Sequence, residues 1–324
     1  MLHRSARHDA CDDAVAPLGK GMAGRAATGD IARVEMGIGI RRADGPIGAE
    51  IVGVDLSRPV SDATFAAIEG AFTERSVIVF RNQTIDERQH VAFSRRFGEL
   101  EVHVMKQYLL DGVPEILLVS NVQENGRPIG LVDAGQYWHT DLCYEPTPSR
   151  CSLLYAREVP VREDGTVLGD TMFASAVAAY DALPEAMKRR IAGLRALHRY
   201  GDRYDAMRSA GSGRDAMTAE QRERLPGAVH PVVRTHPQTG RKAIYVNEGL
   251  TVRILDLPED ESRDLLTELC AHIIRPEFRH IHKWQIGDLL MWDNCAVQHC
   301  AVADYAPPLR RIMHRTTVRG SAPF

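Results

Sequence analysis

The chain has 324 residues and a formal net charge of −3, too close to zero for electrostatic capture of nucleic acid or an anionic membrane surface. Hydrophobic residues make up 44%, enough for a large core, yet no apolar run reaches the roughly 18 residues that a membrane helix needs. The six cysteines (Cys11, Cys143, Cys151, Cys270, Cys295 and Cys300) form no CxxC pair and no disulfide-like framework, so they read as free thiols of a cytoplasmic protein.

Residues 1–34 are rich in Ala, Gly, Arg and Asp and lack the continuous apolar stretch of a secretory signal. They read as a poorly ordered tail, and residues 35–324 as one domain. Short strands are expected at 38–40 and 49–54. Ser61 is placed to cap a helix carrying Phe65, Ile68 and Phe72, and Asp86 to cap a second, reaching about Phe97. Strand-like runs follow at 77–80 and 115–120. Residues 137–144 alternate in strand fashion, and 152–156 is another strand. Helices are predicted at 171–183 and 185–197.

Residues 199–228 carry high charge and several glycines, the composition of a lid or insertion. A hairpin is predicted from 229–235 and 243–246 around the turn at 237–240. Pro258 opens a helix with Leu265, Leu266, Leu269 and Ile273, closed by Pro276. Strands at 280–285, 288–292 and 311–318 end the chain. Many short strands with a few peripheral helices make a mainly β fold, a jelly roll or barrel.

His139-Thr140-Asp141 is the first chemical signal. In a strand, residues i and i+2 share a face, so an imidazole and a carboxylate would converge. Two histidines and one carboxylate make a facial triad that suits Fe(II), with positions left open for other ligands. Taken alone, His-x-Asp is a weak signal and is more often a surface hydrogen-bonding pair. The missing ligand should be a histidine far along the chain.

Near the C-terminus, Gln298-His299 is followed by Arg310 to Arg315. Arg311 and Arg315 lie at even spacing and would face the same way in a strand. Buried guanidiniums need anions, which internal salt bridges or a bound carboxylate could supply.

Several segments together resemble the taurine dioxygenase family, which includes 2,4-dichlorophenoxyacetate and alkylsulfatase dioxygenases. They are Arg95 to Leu100, Trp138 to Asp141, Gly169-Asp170-Thr171, His230 to Pro237, Tyr245 to Gly249, Trp292-Asp293-Asn294, Gln298-His299, Ala303-Asp304-Tyr305 and Arg310 to Arg315. The resemblance runs from about Ile38 to the C-terminus and is nearest to taurine dioxygenase itself.

The resemblance implies a double-stranded β-helix (jelly roll) that uses Fe(II), with 2-oxoglutarate and O2 as cosubstrates. His139, Asp141 and His299 match the iron ligands. Arg311 matches the arginine for the far carboxylate of 2-oxoglutarate, assisted by Thr171. His103 and Arg315 match the pair that holds a substrate sulfonate, and Leu250 and Tyr144 are expected beside the substrate. The implied reaction hydroxylates a C–H next to a heteroatom of a small anion. A taurine-like sulfonate releasing sulfite ranks first, an aryloxyalkanoate or alkyl sulfate ester second. A homo-oligomer is also implied.

Four departures bear on these roles. A longer loop before Gly169 makes Thr166 a rival to Thr171. An extra residue after His299 makes Arg310 a rival to Arg311. Leu250 replaces a usual aromatic residue and Tyr137 a small polar one, and both point away from taurine. From another class, a metal-binding jelly roll without oxygenase activity would need neither Arg311 nor Thr171, and a zinc hydrolase would need a base that the motif lacks. His280, His282 and His314 are expected to face outward, and His230 and His236 to be structural.

Overall fold

In the computed structural model, residues 31–33, 38–132, 135–209 and 216–324 are described. Most of the predicted tail, residues 1–34, lies outside them. The backbone of Ile31–Arg33 pairs antiparallel with residues 39–41.

Nine strands make the main sheet, in the order Ile31–Arg33, Gly39–Arg42, Ala49–Val52, Val77–Phe80, Leu289–Asp293, Ser149–Glu158, Ile312–Arg319, Val113–Ser120, Leu109–Leu110. Only the pair Ala49–Val52 and Val77–Phe80 is parallel. A second, three-stranded antiparallel sheet carries Thr171–Ser175 between Arg279–His282 and Val297–Ala301. The main sheet does not close into a barrel, and its two edge strands differ.

Strand alternation sorts the core into two layers. Leu154, Ala156, Leu290, Trp292 and Met313 point from the main sheet to one side, where Phe173 and Val297 of the second sheet meet them. Cys151, Leu153, Tyr155, Leu289, Met291 and Val318 point to the other side. Helices Asp62–Arg75 and Glu87–Arg95 cover that side with Ile68, Phe72, Val91 and Phe93. Both helices start at the expected caps: Ser61 accepts from the Thr64 amide, and Asp86 forms a capping box with Gln89. A third layer packs helix Glu259–Ile273 through Leu265, Leu269 and Ile273.

Three expected elements differ. Residues 171–183 split into strand Thr171–Ser175 and helix Ala176–Asp181, because the Ser175 hydroxyl accepts from the Ala178 amide and caps a helix there. Residues 185–197 split likewise into helix Glu185–Ile191 and strand Arg195–His198, with Gly193 in the left-handed region between them. Residues 137–144 are not a strand. They make a single bridge at His139 and then a turn, with Leu142 at φ 56°.

Three histidines are also more enclosed than expected. His282 is buried and contacts Asp288 at 3.1 Å, and His280 is half-buried. His314 faces away from the second sheet as expected, but helix Glu87–Arg95 covers that face, leaving it 7% exposed.

Candidate functional site

His139 and His299 are brought together by a two-way backbone bridge, each amide donating to the other's carbonyl at 3.0 and 2.9 Å. Their rings lie 4.1 Å apart between centroids. Asp141 joins them because the chain turns after His139. Its carboxylate oxygens lie 3.6 Å from His139 Nε2 and 3.9 Å from His299 Nε2. The three candidate ligand atoms fall within 4.8 Å of one another, and all three residues are buried.

The imidazoles are held differently. His139 Nδ1–H donates to the Tyr137 carbonyl at 2.8 Å, which leaves the Nε2 lone pair facing the cluster. His299 is held by packing, with the Trp292 ring at 4.8 Å and Phe173 stacked at 6.0 Å. Burial, and next His139, push its imidazole well below the usual range, so it stays neutral with a free lone pair. Burial opposes the charge of Asp141, but Arg315, then His299 and His139, hold its carboxyl well below the usual range. A neutral His299 imidazole, the His139 Nε2 turned to the cluster and an ionised carboxylate are donors that a divalent metal takes, so these residues fit one.

Arg311 is 4% exposed and lies over the rings of Trp284 and Tyr305 at 5.7 and 5.9 Å. Its Nε has no hydrogen-bond partner, and no carboxylate pairs with it among the described residues. Thr171 is buried and its hydroxyl accepts from Trp284 Nε1 at 3.0 Å, so Thr171 and Arg311 flank the same indole. Their rivals lie elsewhere: Thr166 is exposed in a turn, and Arg310 pairs with Glu158 on the surface.

A cavity of about 40 Å³ opens beside His139 and Asp141, lined in part by His103, Tyr144, Leu250 and Arg315. These are the four residues expected beside a substrate. Arg315 Nη1 donates to Asp141 Oδ1 at 3.2 Å, and its Nε lacks a partner. His103 Nδ1 accepts from the Met105 amide at 3.2 Å.

The same cavity is lined by Tyr137, which the sequence reading marks as a departure bearing on the substrate, and by Leu142 and Tyr200, which have no role in that reading. Tyr200 stacks on Tyr144 with 4.9 Å between centroids. It introduces helix Gly201–Ser209, so the charge-rich stretch 199–228 reaches the site through Tyr200, while Tyr204, Met217 and Leu225 anchor it in the core. An aromatic residue among so many charges was the available signal. Neighbouring residues 133–134 and 210–215 lie outside the described set.

Two facing sheets hold a buried His-Asp-His cluster, and Arg311 lies buried with no carboxylate paired to it among the described residues; this is the arrangement of a metal-dependent enzyme site. A family model described as taurine catabolism dioxygenase TauD, TfdA family, matches residues 40–317, and the chain belongs to that family. It is therefore an α-ketoglutarate-dependent dioxygenase, an oxidoreductase that uses Fe(II), 2-oxoglutarate and O2. A pentalenolactone F synthase from Streptomyces arenae is 34% identical over 281 residues, covering 83% of this chain and 91% of that protein. An α-ketoglutarate-dependent 2,4-dichlorophenoxyacetate dioxygenase from Burkholderia sp. (strain RASC) is 33% identical, covering 82% and 89%. The crystal structure of AAD-2 in complex with Mn(II) and N-oxalylglycine is 31% identical, with a TM-score of 0.73 and coverage of 89% and 99%.

Proposed function

We propose that this dioxygenase hydroxylates a C–H next to a heteroatom of a small organic anion with an apolar body, within a double-stranded β-helix. The convergence of His139, Asp141 and His299 on one point carries the reading. In it those three residues hold Fe(II). The guanidinium of Arg311 takes the far carboxylate of 2-oxoglutarate, with the Thr171 hydroxyl beside it. Iron(II) with 2-oxoglutarate and O2 supplies an oxidant able to take a hydrogen atom from a C–H bond, while 2-oxoglutarate becomes succinate and CO2.

The protein's own part is orientation and exclusion of water. Arg315 and His103 face the cavity as donors for the substrate anion. Tyr137, Tyr144, Tyr200 and Leu250 give the rest of the molecule an apolar wall. The lining favours an aryloxyalkanoate or an alkyl sulfate ester over a taurine-like sulfonate. Among the described residues, Asp141 is the only acid lining the cavity, and it is already paired with Arg315, so no other described carboxylate there would meet taurine's ammonium. The alignment of His103 and Arg315 with a sulfonate-binding pair keeps the sulfonate as the second reading.

The test gives the chain Fe(II), 2-oxoglutarate and O2 with 2,4-dichlorophenoxyacetate, hexyl sulfate or taurine, and follows succinate and leaving group. Hydroxylation beside the heteroatom collapses to a carbonyl and releases phenol, sulfate or sulfite respectively. Succinate matched by phenol or sulfate is expected. Matched sulfite would put the taurine-like sulfonate first, and no substrate-dependent succinate from any of the three would reject the proposed class.

A further inference from the structure

Around Asp141 lies a buried polar network that the roles above do not use. Ser152 Oγ donates to Asp141 Oδ2 at 2.6 Å. Asn294 Oδ1 accepts from the Asp141 amide at 3.2 Å. The Asn294 amide nitrogen donates to Ser149 Oγ at 2.7 Å and to Ser152 Oγ at 3.2 Å. Ser149, Ser152 and Asn294 are each no more than 1% exposed. Three buried polar side chains are costly between apolar neighbours unless they satisfy one another.

The network has a direction. Asn294 donates into Ser152 Oγ, so the serine's own proton is left for the carboxylate. One asparagine thus holds both ends of Asp141, its amide directly and its carboxylate through Ser152. The turn that carries Asn294 does not need this side chain. It is closed by the Cys295 amide on Asp293 Oδ1 and the Asn294 amide on the Arg150 carbonyl.

A competitor stands nearby. Arg315 donates to Asp141 Oδ1 and has a buried, unpartnered Nε. A carboxylate free to rotate would turn towards this guanidinium as a two-point partner and away from His139 and His299.

We propose that Ser152 and Asn294 are positioning residues that hold the Asp141 carboxylate in its metal-binding orientation against the pull of Arg315. The proposal rests on the assignment of Asp141 as a metal ligand. Hydrogen bonds behind a metal ligand typically govern metal affinity by about 10- to 100-fold.

The experiment titrates Mn(II) into the full chain without cosubstrate, reading free Mn(II) by electron paramagnetic resonance, and measures the metal-free melting midpoint in parallel. Ser152→Ala and Asn294→Ala are expected to raise the Mn(II) Kd about tenfold to a hundredfold. Ser152→Thr, which keeps the hydroxyl, is expected to stay near the parent value. A Kd within about twofold of the parent in both alanine variants would overturn the proposal. So would a lowered metal-free midpoint with unchanged Kd, the signature of a purely structural network. Ser152→Ala removes one oxygen atom and keeps the test open should Asn294→Ala misfold. A parent chain that binds Mn(II) yet oxidises none of the anions above would sink the substrate reading and leave this one standing.

Discussion

Among the described residues Arg311 is a buried cation with no carboxylate paired to it, which a protein retains only for a purpose. If its partner is the far carboxylate of 2-oxoglutarate, removing the charge should remove affinity for that cosubstrate and little else. Arg311→Gln is expected to raise KM for 2-oxoglutarate at least about 30-fold, the lower end of what losing a buried charged hydrogen-bond partner costs. Mn(II) binding should be unchanged, and a KM within about twofold of the parent would remove Arg311 from the site. The choice between Arg310 and Arg311 was not legible in the sequence, because one inserted residue leaves the spacing ambiguous. The register of Ile312–Arg319 decides which arginine is buried. His139, Asp141 and His299 were legible because metal chemistry allows few residue types. The route to their convergence was not strand alternation but a bridge followed by a turn, set by contacts distant in sequence.

Among the elements, the capped helices were readable because a cap is a local interaction. The splits at 171–183 and 185–197 were not, because alanine-rich and charged residues favour helix locally while pairing with strands far away in sequence, such as Thr171 with Ala301, decides the outcome. Gly249 shows how one element constrains another. A Cβ there would lie 2.0 Å from Tyr137 Cδ2 and 3.1 Å from the Trp138 carbonyl. Tyr137 in turn supplies the carbonyl that orients His139. Gly249→Ala should therefore displace the ligand-bearing segment, costing about 1–3 kcal/mol of stability as overpacking does and weakening Mn(II) binding. Wild-type binding in this variant would mean that the segment is not held by that contact.

Across the whole molecule, several buried or half-buried histidines are held in neutral form. Burial lowers His90 and His198 to about 3, and His280 and His314 to about 4. Nearby charges contribute second: His314 beside His90, His230 beside His198, His282 beside His280 and Arg157 beside His314. Because each folded value lies below the unfolded one, the unfolded chain takes up the proton first as pH falls. Stability is thus complete above about pH 6.5 and declines from there towards the folded values, by about 1.4 kcal/mol per pH unit for each fully buried histidine. The urea midpoint should fall clearly between about pH 7 and about pH 5, and a flat profile would contradict the buried neutral state. Layering was partly visible from strand alternation, but the covering of His314 was not, since the helix over it, Glu87–Arg95, lies far away in sequence.

The most direct test of the site joins these scales: oxygen-free calorimetric titration of 2-oxoglutarate into the chain, with and without Mn(II), repeated on His299→Ala. Binding that requires the metal and is lost in His299→Ala is expected, because the cosubstrate then chelates an ion held by His139, Asp141 and His299. Binding of equal strength without metal, or undiminished in His299→Ala, would contradict a metal centre at these residues.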